Sequence, residues 1–290
     1  MSAHPRLSLN QATVKWATLA EAIAACQGAG IPSLGVWREP VADIGLHAAT
    51  RLIADSGLRV SSLCRGGFFT APDGPERRAA LDDNRRAIEE AEALASAGAD
   101  GSAAVLVLVA GGLPAGSRDL VGARERVLDA LGALEPFAAS AGVTLAVEPL
   151  HPMFAADRAV VSTLGQAIDL AVAAGPAVGV VVDTYHVWWD PTVLEQIERA
   201  ARLGRIASYQ TCDWLTPLPA DVLLGRGIPG EGHIDFGPIT RAVEAAGYVG
   251  DVEVEIFNED VWSRPYADVA SEVSAAFTRT VGPHLKSSKV

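Results

Sequence analysis

The chain has 290 residues, of which 49% are hydrophobic and 20% are charged, a balance typical of a soluble globular protein with a sizeable core. Its 35 acidic and 23 basic residues give a formal net charge of −12, which argues against nucleic acid as a partner. Three cysteines without a CxxC pair, no signal-peptide pattern and no membrane-length apolar run favour a cytoplasmic protein without a disulfide framework or a membrane partner.

Short β-branched runs alternate with longer helical stretches along the whole chain. The predicted strands are 6–10, 31–37, 58–64, 104–109, 143–148, 178–183, 205–210 and 251–256. The predicted helices include 19–29, 77–97, 124–140, 163–174, 191–201 and 239–246. Several helices are followed by a glycine, the residue that a left-handed C-terminal cap favours: Gly30, Gly57, Gly142 and Gly247.

Eight strands that each precede a helix predict a (β/α)₈ TIM barrel, formed as a single domain by residues 1–290. An open doubly wound sheet is the alternative. It is disfavoured because no GxGxxG motif follows the first strand and because polar residues stand at several strand ends rather than at one switch point.

Oxygen-bearing side chains stand at the ends of the last four predicted strands, namely Glu148, Asp183, Gln210 and Glu255. One acidic residue at a strand end is often only the N-cap of the next helix. Four in succession would converge on one barrel mouth, where carboxylates repel one another unless a cation neutralises them. The pattern therefore predicts one divalent metal ion with oxygen ligands, Mn²⁺ first and Mg²⁺ or Co²⁺ as alternatives.

The segments AVEP, VDTYH, YQTCD, GRGIPGEGHID and VEIF resemble the xylose-isomerase-like barrel superfamily. The chain is similar to its sugar phosphate isomerase/epimerase group, which includes keto-sugar 3-epimerases, inosose isomerases and dehydratases, and hydroxypyruvate isomerases. The resemblance implies one divalent metal held by Glu148, Asp183, Gln210 and Glu255. Many members have histidine where Gln210 stands, and an amide oxygen favours Mn²⁺ or Mg²⁺ over Zn²⁺.

The same resemblance implies the roles of the site residues. Glu148 and Glu255 would face opposite sides of the substrate carbon, one removing a proton and the other returning it, through a metal-stabilised enediolate. His186 and Arg226 would bind substrate oxygens.

Two further residues are predicted to bind substrate. His151 follows Glu148 by three residues, and Trp37 follows the second predicted strand, where its aromatic face would suit a sugar ring. Beyond Arg226, Arg38 and Arg65 no basic residues are expected at the mouth. The expected substrate is therefore an unphosphorylated carbohydrate or polyol.

These residues predict an isomerase or epimerase acting on a keto-sugar or keto-polyol. A lyase using the same enediolate remains open, either an inosose-type dehydratase or an enzyme that removes the aglycone from a 3-keto-glycoside or C-glycoside. Its extra acid would be His151, Asp213 or Glu231. A non-catalytic sugar-binding subunit is a remoter alternative, and a histidine-rich apurinic-site endonuclease is disfavoured by the negative charge. A homodimer or homotetramer is expected by analogy.

Overall fold

Eight parallel strands close into a barrel in the computed structural model, which describes residues 3–286. The barrel strands are β1 (Leu7–Asn10), β2 (Ser33–Trp37), β3 (Arg59–Gly67), β4 (Val105–Val109), β5 (Thr144–Glu148), β6 (Val178–Asp183), β7 (Ile206–Thr211) and β10 (Val252–Val254). Between β7 and β10, the short strands β8 (Asp213–Trp214) and β9 (Arg226–Gly227) form an antiparallel pair. The last strand, β10, pairs with both β7 and β1. The predicted (β/α)₈ barrel is thereby confirmed.

Helices surround this barrel. They are α1 (Leu19–Ala29), α2 (Arg38–Ile44), α3 (Leu46–Ser56), α4 (Pro75–Ala97), α5 (Leu120–Ala141), α6 (Leu164–Ala174), α7 (Thr184–Val187), α8 (Val193–Arg202), α9 (Phe236–Ala245), α10 (Glu259–Trp262) and α11 (Tyr266–Thr280). None of those within residues 3–286 combines the length and apolar character needed to cross a bilayer. The polar sequence after Leu285 predicts a frayed tail, and its residues from 287 onwards lie outside the described part of the chain.

The structure departs from the predicted elements at a few boundaries. Strand β3 continues to Gly67 rather than ending at residue 64, because Gly66 and Gly67 pair with Leu108 and Val109 of β4. Helices α2 and α3 occupy a segment for which no helix bounds were predicted, although Gly57 was predicted to follow a helix and does follow α3. The first of these has only seven residues and contains Pro40, too little chain for a clear helical period.

Side chains of the strands divide between two apolar clusters. Alternate residues point outward under the helices, such as Leu106 and Leu108 of β4. The residues between them, such as Val105 and Val107, point into a smaller cluster enclosed by the barrel. This alternation is that of a parallel sheet buried on both faces.

Opposite the apolar cluster, the interior of the barrel is lined by polar side chains of β1, β3, β7 and β10. Ser8, Asn10, Ser62, Gln210 and Glu253 are all buried there, each with at most 1% of its surface exposed. Buried polar groups usually have hydrogen-bond partners. Here Asn10 Nδ2 and Gln210 Nε2 both donate to Glu253 Oε2, at 2.7 and 3.3 Å, and Ser8 pairs with Ser61. A polar layer therefore lies directly beneath the strand ends that form the mouth.

The close packing of β3 against β4 leaves no space for a side chain at Gly67. A substitution at this position therefore tests the fold. Gly67 has φ +112°, and an added Cβ would lie 1.9 Å from the carbonyl oxygen of Val109. We expect Gly67→Ala to lower the free energy of unfolding by at least about 2 kcal/mol in urea denaturation.

Gly132 is the matched control, because it lies within α5 and no atom would approach its added Cβ within 4 Å. Gly132→Ala should raise the free energy of unfolding by about 0.5–1 kcal/mol. Equal effects of the two substitutions would contradict the close approach of β3 to β4.

Candidate active site

The strand ends of the later half of the barrel bring acidic side chains into one buried space. Glu148 ends β5 and Asp183 ends β6, and their exposures are 6% and 1%. Gln210 lies in β7, in register with Asp183, and Glu255 follows β10 directly. Alternation along each strand directs these side chains inward.

A single arginine side chain enters this acidic space. Arg226 of β9 is 2% exposed, and its Nη1 donates to Glu255 Oε2 at 2.7 Å and to Asp183 Oδ2 at 3.3 Å. Its guanidinium lies 4.8 Å from the ring centre of Tyr185 and 4.9 Å from that of Phe257. Arg226, predicted to bind substrate oxygens, therefore neutralises part of the carboxylate charge.

One guanidinium does not balance the acidic groups. Burial, followed by the charges of Glu255 and Asp183, raises the pKa of Glu148 well above its usual range. Burial raises the pKa of Asp183, although Arg226 opposes the shift. The pKa of Glu255 is raised by burial to about 7, again against the effect of Arg226. A cation bound here would relieve this accumulation of negative charge.

Two buried oxygens in this region fit a cation. Within residues 3–286, Glu148 Oε1 and Gln210 Oε1 are both buried and have no hydrogen-bond partner, although unsatisfied buried acceptors are costly. Ligand atoms of Glu148, Asp183 and His186 also lie within 4.8 Å of one another, close enough to hold one metal ion, whereas the predicted ligand Glu255 is not part of this group within residues 3–286. The donor set therefore fits a divalent metal.

Gln210 is held by a carboxylate that the motifs did not reveal. Its Nε2 donates to Glu253 Oε2 at 3.3 Å, and Asn10 Nδ2 donates to the same oxygen at 2.7 Å. This contact fixes which end of the amide is the nitrogen and leaves Oε1 unpaired. The spacing of Glu253 and Glu255 could have revealed the contact, since residues two apart on a strand share a face.

The ring of His186 is neutral and lies beside the carboxylates of Glu148 and Asp183. Burial, followed by the charges of Arg226 and His151, lowers the pKa of His186 well below its usual range. Its Nδ1 lies 3.1 Å from the backbone nitrogen of His151, and its Nε2 lies 3.0 Å from Arg226 Nη2.

A neutral imidazole has only one acceptor nitrogen, so only one of these contacts is a hydrogen bond. The backbone donor at His151 is the less mobile of the two, which assigns the acceptor to Nδ1 and the proton to Nε2. In this tautomer Nε2 has no lone pair for a metal, so Glu148 and Asp183 are the two ligands that remain from the group of three.

Of the two remaining predicted substrate-binding residues, Trp37 faces the cavity and His151 does not. Trp37 lines a cavity of about 170 Å³ together with Glu148, His186 and Glu255. His151, predicted to bind substrate, does not line that cavity among the described residues. It lies behind His186, with its ring 5.2 Å from those of Trp189 and Trp214. Its influence on the cavity is therefore indirect, through the bond to His186.

The chain belongs to the family described as xylose isomerase-like TIM barrel, which it matches over residues 20–280. This confirms the superfamily that the strand-end motifs resemble. No curated protein matches the chain.

Solved structures extend the comparison. Protein SMc04130 from Sinorhizobium meliloti 1021 is 48% identical, with 95% of this chain and 98% of that one covered and a TM-score of 0.89. The IOLI protein, with a bound zinc atom, is 20% identical, with 97% and 100% covered and a TM-score of 0.82. D-psicose 3-epimerase from Clostridium cellulolyticum H10, with D-tagatose, is 17% identical, with 97% and 100% covered and a TM-score of 0.76. The last two likenesses show the shared fold.

The unpaired oxygen of Gln210 generates a prediction about metal selectivity. If Gln210 is a ligand, Gln210→His should increase the affinity for Zn²⁺ relative to Mn²⁺, because imidazole is a softer donor than an amide oxygen. Competition titrations of the metal-free protein with the two ions measure this ratio. Gln27→His, at an exposed position of α1, is the control. An unchanged ratio in the Gln210 variant would mean that Gln210 is not a ligand.

Proposed function

We propose that the protein is a divalent-metal-dependent isomerase or epimerase that acts on a keto-sugar or keto-polyol. The observation that carries the proposal is the pair of buried glutamates, Glu148 and Glu255, which line one cavity beside Asp183 and the unpaired amide oxygen of Gln210. Membership of the xylose isomerase-like family supports it, as does the occurrence of 3-epimerases among proteins of this fold.

The metal would be held by Glu148, Asp183, Gln210 and Glu255. An oxygen-rich donor set favours Mn²⁺, with Mg²⁺ or Co²⁺ as alternatives. When bound, such an ion polarises a carbonyl oxygen and stabilises the negative charge that develops on it.

The protein's own residues would move the proton. One of Glu148 and Glu255 takes the proton from the carbon next to the carbonyl group, and the C–H electron pair moves toward the carbonyl oxygen to give an enediolate. The other glutamate returns a proton on the opposite face. Burial raises the pKa of both carboxylates in the metal-free protein. A bound cation would lower it and keep them ionised, the form in which a general base accepts a proton.

His186 and Arg226 would orient the substrate. His186 presents its Nε2 proton to a substrate oxygen in the tautomer assigned above. Arg226 keeps Glu255 and Asp183 in place through its Nη1 contacts and lines the cavity itself, so that it serves both the carboxylates and the substrate.

A lyase would need a further acid, and the candidate residues are otherwise engaged. The carboxylate of Asp213 accepts hydrogen bonds from the backbone of Trp214, Gly230 and Ile234. Glu231 accepts one from the backbone of Ile228, and His151 lies behind His186. These contacts favour isomerisation or epimerisation over elimination.

Deuterium exchange from D₂O into a panel of ketohexoses, ketopentoses and inososes tests the mechanism. Glu148→Gln and Glu255→Gln should each reduce exchange at the carbon next to the carbonyl group by about 10²–10⁴-fold. Metal content must be measured for each variant, because loss of the metal would also stop exchange.

Glu259→Gln is the control, since Glu259 is exposed on α10 and its side chain makes no ion pair within the described residues. Parental exchange rates in both metal-replete glutamate variants would show that neither is the base.

A further inference from the structure

Two cations lie at the rim of the cavity beside the ring of Trp37. Lys15 Nζ is 4.7 Å from the centre of that ring, and the Arg65 guanidinium carbon is 5.4 Å from it. Arg65 and Trp37 line the cavity that reaches Glu148 and Glu255. Lys15 lines an adjoining hollow that shares Trp37, and it also lies 5.8 Å from the ring centre of Phe257 in the cavity wall.

Neither cation has a carboxylate or carbonyl acceptor within residues 3–286, although both lie against the ring of Trp37. Every other buried or half-buried arginine of residues 3–286 donates to a carboxylate or a backbone carbonyl. Lys15 and Arg65 are half-buried and make no such bond within that part of the chain. In a protein with 35 acidic and 23 basic residues, carboxylate partners are abundant, so two unpaired neighbouring cations require another explanation.

Of the arginines expected at the mouth, only Arg65 is available to a ligand of this kind. Arg38 is paired with Asp83 and Glu90, and Arg226 with the carboxylates of the cavity floor. Lys15, which the sequence did not suggest, is the second free cation.

Lys15 is influenced by both acidic groups and Arg65. Burial lowers its pKa, Glu39 opposes the shift, Arg65 adds to it and Glu255 opposes it. Glu39 and Asp43 line the hollow beside Lys15 but form no ion pair with it within the described residues. Arg65 lines the cavity directly, whereas Lys15 lines the adjoining hollow on the other side of their shared neighbour Trp37, so an anion in the cavity would meet Arg65 first.

The carboxylates of the floor do not account for these cations if the proposed function holds. A bound divalent ion together with Arg226 would balance the charges of Glu148, Asp183 and Glu255. The rim would then keep its positive charge without a counter-ion, and like charges held together favour binding of an anion.

We propose that Arg65 and Lys15 form a subsite for an anionic group of the substrate, a carboxylate or a phosphate, at the end remote from the reacting carbon. The ring of Trp37 is fixed by the 2.7 Å bond from its indole nitrogen to Asn10 Oδ1 and supports the carbon chain between the two ends. This inference rests on the proposed function, and it departs from the expectation of an unphosphorylated substrate where the anionic group is a phosphate.

Binding of small anions tests the subsite without turnover. Inorganic phosphate, acetate and the uncharged probe glycerol are titrated by calorimetry into the full-length protein at constant ionic strength, with and without Mn²⁺. Arg65→Gln and Lys15→Gln should each weaken binding of an anion by about tenfold. Arg65→Lys and Lys15→Arg, which keep the charge, should retain most of it.

Arg78→Gln is the matched control, because Arg78 is exposed on α4 and makes no ion pair within the described residues. It removes the same charge from the protein and should leave anion binding unchanged. Thermal unfolding of each variant verifies that the fold is intact. Absence of anion binding in the parent, or equal affinity in the parent and the two glutamine variants, would overturn the subsite.

A substrate series separates this inference from the proposed function. The values of kcat/KM are compared for a ketohexose, its 6-phosphate and the corresponding keto-uronic acid. A preference for a charged substrate that falls by about tenfold in Arg65→Gln supports the subsite, and the preferred member identifies the anion. Exchange of every sugar without a charge preference overturns the subsite alone. Anion binding that depends on Arg65, without exchange of any sugar, overturns the proposed function alone.

Discussion

Glu148, Asp183 and Glu255 place three acidic groups in a space that is almost closed to water, and the rest of the site is organised around this concentration of charge. Each carboxylate has a raised pKa because burial disfavours its charged form. Arg226 enters the same space and supplies one positive charge, which leaves the site short of cations. The barrel thus brings together more negative charge than Arg226 neutralises, and the proposed metal ion would supply the missing positive charge.

The supporting residues show how the barrel controls that charge. Glu253 and Asn10 lie one layer below and hold the amide of Gln210 so that its oxygen stays unpaired. The backbone of His151 faces His186 and favours one tautomer of its ring. These residues act through their neighbours, and the residues that face the cavity therefore have defined orientations before any ligand binds.

The acidic residues at the strand ends were predictable from the sequence, because each one directly follows the apolar run that forms its strand. Glu148 and Asp183 end apolar runs, so their place at the mouth follows from local pattern and the closure of the barrel. No local sequence signal predicts the path of the loop that inserts Arg226 between Asp183 and Glu255, which are 43 and 29 positions away in the chain. The same holds for Lys15 and Arg65, which meet only because two separate strand ends converge on Trp37.

The position of a bound cation is the most direct test of the charge deficit. Crystals of the protein grown with Mn²⁺ and measured at the manganese absorption edge should show one anomalous peak among the side-chain oxygens of Glu148, Asp183, Gln210 and Glu255. A peak elsewhere, or none at full Mn²⁺ occupancy of the solution, would contradict the assignment and leave Arg226 as the sole counter-ion of the site.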